Sequence, residues 1–115
     1  MNTTEERHFY GKLLSDCQIV FVEADRKMRA RHYHDAVQEY QALVQPAEEF
    51  LQGFPSSTKG NHLIAYMHAR RAMALSSHGN DMGEESGRKW HAQALEVRRF
   101  QLMIELALGM MRGDS

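Results

Sequence analysis

Apolar residues recur every three or four positions along nearly all of this 115-residue chain. This spacing places side chains on one face of an α-helix, and no segment shows the sustained alternation of a half-buried strand. Glycines and polar residues cluster at 53–60 and 79–87, which are the predicted loops. The pattern predicts a single all-α domain over residues 1–115, either a four-helix antiparallel bundle or two stacked helical hairpins.

The first two predicted helices have clear ends. Thr3 and Glu6 form a capping box, which predicts that the first helix begins there, and its apolar stripe continues to Met28. The second helix carries a stripe over residues 33–51 that keeps its phase through Pro46. A proline inside a helix removes one backbone hydrogen bond, so we expect a kink there rather than a break.

The last two predicted helices are more apolar. The third, from about residue 58 or 61 to 77, is apolar nearly all the way round. The fourth begins between residues 84 and 88 and reaches about residue 111, and beyond residue 100 its polar positions form one narrow line. Such a helix forms the centre of a bundle or covers a second copy of the protein. The expected homodimer seam consists of Phe100, Met103, Ile104, Leu108, Met110 and Met111.

Charge and cysteine content narrow the possible functions. Lysine and arginine total 14 against 15 aspartate and glutamate residues, so no overall field attracts nucleic acid or a membrane. Cys17 is the only cysteine, which excludes an intramolecular disulfide and a cysteine-based zinc site, and it lies in the apolar stripe of the first helix. The N-terminus does not resemble a signal peptide, and no apolar run is long enough to span a bilayer. We therefore expect a cytoplasmic protein that does not contact membranes.

Catalytic and metal-binding motifs are missing from the sequence. Its seven histidines include the pair His32 and His34, but no HExxH motif occurs, and no pair of Glu-x-x-His motifs as a di-iron site requires. The segment around Lys59 and Gly60 lacks the spacing of a phosphate-binding loop. We therefore predict no catalytic residue, no metal ligand and no cofactor.

The strongest local concentration of positive charge lies in Arg26, Lys27, Arg29 and Arg31. Two interpretations stay open. These side chains could contact nucleic-acid phosphates, with a neighbouring aromatic ring stacked on a base. They could instead form the solvated end of the first helix, where cations complement the negative end of the helix dipole.

Arg70 and Arg71 are the only full charges in the middle of the otherwise apolar third helix. An unpaired guanidinium is costly to bury, so each must reach water, pair with a carboxylate or face a ligand. Glu23, Glu96 and Glu105 are candidate internal partners. The alternative is that the two arginines bind an acidic surface on another protein.

Several residues of the first two helices follow a known order, namely Ala24, Tyr33, Ala36, Tyr40, Leu43 and Pro46. This order resembles a tetratricopeptide repeat. The resemblance implies stacked helical hairpins that bind peptides in a groove lined by the first helix of each pair. The third and fourth helices resemble a second, degenerate pair, although the spacing from Ala36 to Ala94 exceeds the family's period of about 34 residues. The Ala-and-Tyr second helix is also similar to that of the microtubule-interacting and trafficking domain.

Together these features predict a non-enzymatic protein-binding module. We expect an adaptor, a chaperone-like factor or a small inhibitor, such as a bacterial or phage regulator, that acts as a homodimer and binds a partner with an acidic surface. One alternative is a nucleic-acid-binding regulator that uses the basic stretch. A second alternative is a small all-helical enzyme, whose histidines and carboxylates should converge in one concave pocket.

Overall fold

The computed structural model describes the backbone of residues 3–111 and the side chains of residues 3–109. This part of the chain contains helices and no strand, which confirms the predicted all-α class. Two hairpins, α1 with α2 and α4 with α5, meet through contacts of α2 and α3 with α4. The helices are α1 (Thr3–Arg29), α2 (Tyr33–Gln41), α3 (Val44–Gly53), α4 (Thr58–Met82) and α5 (Arg88–Met111).

The second predicted helix is divided into α2 and α3. The interruption lies at Ala42 and Leu43, just before the kink expected at Pro46. The Leu43 amide donates to the Tyr40 carbonyl only three residues earlier, at 3.0 Å, so the turn is tighter than α-helical. Pro46 then stands in the first turn of α3, where its missing N–H group costs nothing.

Helix α4 continues past Ser77, where the sequence predicted its end. It reaches Met82, and the loop to α5 is confined to residues 83–87. Gly79 lies inside the helix because α5 approaches it closely. A Cβ atom at this position would be 2.9 Å from Nε2 of His91. The glycine that suggested a loop is therefore a packing residue, and Gly83, with φ of 93°, ends the helix.

Alanine residues allow the helices to approach one another closely. Ala24, Ala36 and Ala72 come from α1, α2 and α4, and all three are fully buried. They belong to a core group that also contains Tyr40 and Val97. A second core group lies nearer the other end of the hairpins and consists of Leu13, Cys17, Leu43, Ala47, Phe50, Ile64, Ala65, Met67, Ile104 and Leu108. Burial raises the pKa of the Cys17 thiol to about 11, so this cysteine acts as a small apolar residue.

Helix α5 packs against α4 along most of its length and makes no comparable contact with another helix. The residues that form this contact alternate in steps of three and four, as in a coiled coil. Because α5 has a single neighbour, its opposite face is not covered within the described chain. The packing residues of α5 are Trp90, Ala94, Val97, Gln101, Ile104 and Leu108.

We expect Gly87→Ala to destabilise the fold by about 2–4 kcal/mol. A Cβ atom there would lie 2.1 Å from the Gly79 carbonyl oxygen, and backbone atoms cannot move aside as a flexible side chain can. Gly11→Ala is the matched control, because a Cβ atom at position 11 of α1 meets no atom within 4 Å. It should stabilise the protein by about 1 kcal/mol. Urea denaturation measures both, and a Gly87→Ala variant of unchanged stability would contradict the close α4–α5 turn.

Candidate functional site

Arg70 is engaged within the chain. Its Nε and Nη1 atoms donate to the hydroxyl oxygens of Tyr40 (3.2 Å) and Tyr66 (2.9 Å), and Nη2 pairs with the Asp25 carboxylate. The guanidinium also lies 5.2 Å from the ring centroid of Phe21. The arginine therefore joins α1, α2 and α4, and its ionic partner is Asp25.

Arg71 also has a partner inside the chain. Its Nε and Nη2 atoms donate to the Gln41 side-chain oxygen at 3.0 and 2.8 Å. The carboxylates suggested by the sequence do not serve these arginines. Glu23 pairs with Arg26, and Glu105 accepts a hydrogen bond from the Gln101 amide. The actual partners were not predictable from the sequence, because they depend on how each helix is rotated about its axis. The spacing of apolar residues does not determine this rotation to within one residue.

The basic stretch is divided in the folded chain. Arg26 pairs with Glu23 at 2.9 Å, and Lys27 pairs with Glu39 of α2. Arg29 is exposed at the end of α1, and Arg31 is exposed in the following turn, where its φ is 63°. Because two of the four cations face carboxylates, this region is a mixed surface.

The outer face of α5 differs from the seam that the sequence predicted. Ile104 and Leu108 are 6% and 2% exposed and belong to the intrachain core, so they are excluded from an external interface. Phe100 and Met103 are exposed, at 41% and 65%. The predicted seam also included Met110 and Met111. Their side chains lie outside the described residues.

Three leucines that the sequence analysis did not select form the centre of this face. Leu95, Leu102 and Leu106 are 51%, 56% and 71% exposed. With Ala92 and Arg99 they repeat in steps of three and four, on the side of α5 opposite its α4 contact. The sequence of α5 therefore contains two sets of residues at heptad spacing, the set that packs against α4 and this exposed set. Both are visible in the sequence, but only the contacts of α5 show which set faces α4. We call these five residues and Met103 the outer face of α5.

His68 lies apart from His32, His34 and His78, which share one cavity. His68 is 3% exposed, packs edge-on against Phe100 at 5.0 Å, and lies between α4 and α5. Burial lowers its pKa to about 4, so it is neutral at physiological pH. Elsewhere His34 and His78 meet Trp90, with ring centroids 5.0 Å apart for the two histidines and 4.5 Å for His78 and Trp90. His34 and His78 also line a cavity of about 170 Å³ together with His32, Asp35 and Asp81.

Comparison with family models, curated proteins and solved structures found no match to this chain. Within residues 3–111, no helix is long and apolar enough to cross a bilayer. The same residues contain no group of three or more histidine, cysteine or carboxylate side chains arranged to hold a metal ion. The surface that the geometry singles out is the outer face of α5.

Replacing Arg70 by methionine should lower the free energy of unfolding by about 2 kcal/mol, because the hydroxyl of buried Tyr40, the hydroxyl of exposed Tyr66 and the Asp25 carboxylate lose their partner. Arg71→Met is the control. Its partner Gln41 is exposed, so the loss should stay below about 1 kcal/mol. Arg70→Met combined with Asp25→Asn should show a coupling energy of about 1 kcal/mol in urea denaturation. Additive single effects would mean that the ion pair does not hold α1 against α4.

The stability of the protein should fall as the pH is lowered from about 7 toward 4. Burial lowers the pKa of His68 from its ordinary 6.5 to about 4, so the unfolded chain binds the proton first. The stabilising contribution of neutral His68 is fully present above the pKa that this histidine has in the unfolded chain. It is lost as the pH falls toward the pKa of His68 in the folded chain, and the free energy of unfolding decreases by about 3 kcal/mol in total. Urea midpoints across this range measure the loss. His68→Leu should flatten the profile, whereas replacement of the exposed His62 should leave it unchanged.

Proposed function

We propose that the protein is a non-enzymatic protein-binding module that acts as a homodimer through the outer face of α5. The observation that carries this proposal is the row formed by Leu95, Leu102 and Leu106, each more than half exposed. Removing a leucine side chain from water contributes about 1.5–3 kcal/mol. A surface that leaves three such side chains in one row on a single helix favours association with a second apolar surface.

The shape of the chain also supports a second copy. The molecule measures 48 × 31 × 19 Å, with a radius of gyration of 15.1 Å. A compact chain of this length has a radius of gyration of about 13 Å. The protein is therefore flat, and α5 packs against only one neighbouring helix. A second α5 on the outer face would give this helix a partner on each side, as in a complete bundle.

An antiparallel pairing of two α5 helices matches the side chains of this face. The heptad phase places Leu95 against the partner's Leu106, and the leucine at 102 against the stem of the partner's Arg99. The flanking positions then bring Arg98 near the partner's Glu105. The two-fold axis repeats each of these contacts, so one register satisfies both the apolar and the charged residues.

The structure favours this interpretation over the two alternatives from the sequence. A nucleic-acid-binding surface would use Arg26, Lys27, Arg29 and Arg31, but the first two of these are paired with carboxylates. An enzyme with a histidine-based site would use the cavity lined by His32, His34, His78, Asp35 and Asp81, but its volume of about 170 Å³ is below the range of about 300–1,000 Å³ typical of ligand pockets. The expected contact with an acidic partner depended on the two arginines of α4, which have internal partners. We therefore base the proposal on the apolar face alone.

The homodimer should be disrupted by Leu102→Lys, which places a second cation against the partner's Arg99 on each side of the two-fold axis. Light scattering coupled to size exclusion should give twice the chain mass of 13.3 kDa for the wild type and the single mass for the variant. Ile19→Lys is the matched control, because Ile19 is 67% exposed on α1 and should leave the dimer intact. Unchanged helical circular dichroism shows that both variants fold.

The charged contact tests the register separately. Arg98→Glu should weaken the dimer by about tenfold, because two like-charged pairs replace two attractive ones. Adding Glu105→Arg in the same chain should restore it. A wild-type chain that sediments as a monomer at high concentration would refute the homodimer. Failure of the charge swap alone would refute the antiparallel register.

A further inference from the structure

A second apolar surface lies between α1 and α3, away from the residues assigned to the dimer. It is a groove of about 440 Å³ whose apolar lining is Phe9, Leu13, Pro46, Phe50 and Phe54. The phenylalanine rings pack on one another, with centroids 5.9 Å apart for residues 9 and 54 and 5.2 Å for residues 50 and 54. This volume lies within the range of about 300–1,000 Å³ that is typical of binding pockets.

The groove is open in the folded chain. Phe9 is 48% exposed although its ring contacts Phe54, so an aromatic surface faces solvent. Gly53 lies on the wall contributed by α3, and a Cβ atom at this position meets no atom within 4 Å. A side chain from another molecule therefore has room beside Gly53, and no helix has to move to admit it.

The rim of the groove carries more negative than positive charge. Glu5, Asp16 and Glu49 line it together with one cation, Lys12. The Glu49 carboxylate accepts a hydrogen bond from the neutral Gln45 side chain at 3.0 Å, so its charge is not neutralised by that contact. Carboxylates beside an apolar floor favour a ligand that combines apolar and cationic groups.

We propose that this groove binds an amphipathic helical segment of a partner protein, with apolar residues on the floor and lysine or arginine at the acidic rim. A groove walled by two helices, here α1 and α3, suits a helix whose anchors repeat at i, i+3 or i+4, and i+7. The inference rests on the proposed protein-binding function and adds the chemical class of the segment that is bound. The groove shares no residue with the outer face of α5.

The proposal is tested with a fluorescein-labelled amphipathic peptide that carries leucines on one face and lysines on the other. Its twin carries glutamate at every lysine position. In anisotropy titrations with the full chain, the lysine peptide should bind about tenfold more tightly than the twin. Added salt should reduce the difference, because the rim is exposed to solvent. Equal affinity of the two peptides would overturn the proposal.

Gly53→Leu locates the binding site. The added side chain occupies the groove and should weaken binding of the lysine peptide by about tenfold. Gly11→Leu is the matched control, because position 11 of α1 is equally open but lies outside the groove. Glu49→Lys provides a second variant that leaves the groove open, and it should weaken binding of the lysine peptide and strengthen binding of the twin. Unchanged binding by both the Gly53 and Glu49 variants would overturn the proposal.

Leu102→Lys in the same titrations separates this proposal from the homodimer. Unchanged peptide affinity in this variant supports a groove that is independent of α5. If the variant stops binding the peptide while Gly53→Leu still binds it, the peptide contacts the outer face of α5 and the groove proposal fails. A wild-type chain that is monomeric yet binds the lysine peptide through Gly53 and Glu49 would refute only the homodimer.

Discussion

The close packing of α4 against its neighbours determines the rest of this structure. Within the described chain, each of the other four helices contacts α4. Fully buried alanines, such as Ala72 of α4 and Ala36 of α2, keep the helix axes close. A helix surrounded in this way must be apolar on several sides, which explains its composition. The same arrangement gives α5 only one neighbour, so the central position of α4 and the exposed outer face of α5 have a single cause.

Arg70 shows how a charged residue is accommodated in such a helix. Its guanidinium lies where α1, α2 and α4 meet, and the Asp25 carboxylate and two tyrosine hydroxyls surround it. Apolar contacts alone do not distinguish one position along α1 from the next turn, because leucines and alanines pack well in several registers. A charged group that needs three specific partners does distinguish them, because the partners meet it in one register only. The position of α1 against α4 also sets the wall that Phe9 and Leu13 contribute to the groove.

The sequence predicted the class of the fold because the helical spacing of its apolar residues is apparent without any knowledge of tertiary contacts. Element ends were less predictable. Glycine is typical of loops, but Gly79 lies inside α4, where it packs closely against His91. Helix α4 therefore extends beyond its predicted end. The surface was least predictable. Helix α5 carries two apolar phases, and nothing in the spacing shows that Ile104 packs inside while Leu102 faces out. Such choices depend on contacts between residues that are distant in sequence, as does the pairing of Arg70 with Asp25.

The two surfaces have different physical characters, and this bears on how they work together. The outer face of α5 carries leucines in one repeating row, which suits a symmetric partner of the same sequence. The groove between α1 and α3 combines an aromatic floor with an acidic rim, and this asymmetry suits a partner of different composition. Because no residue belongs to both surfaces, the proposed dimer would leave each groove accessible. If both proposals hold, a dimer with two grooves would bind a target that carries two amphipathic segments more tightly than either groove alone, because the second contact would be intramolecular.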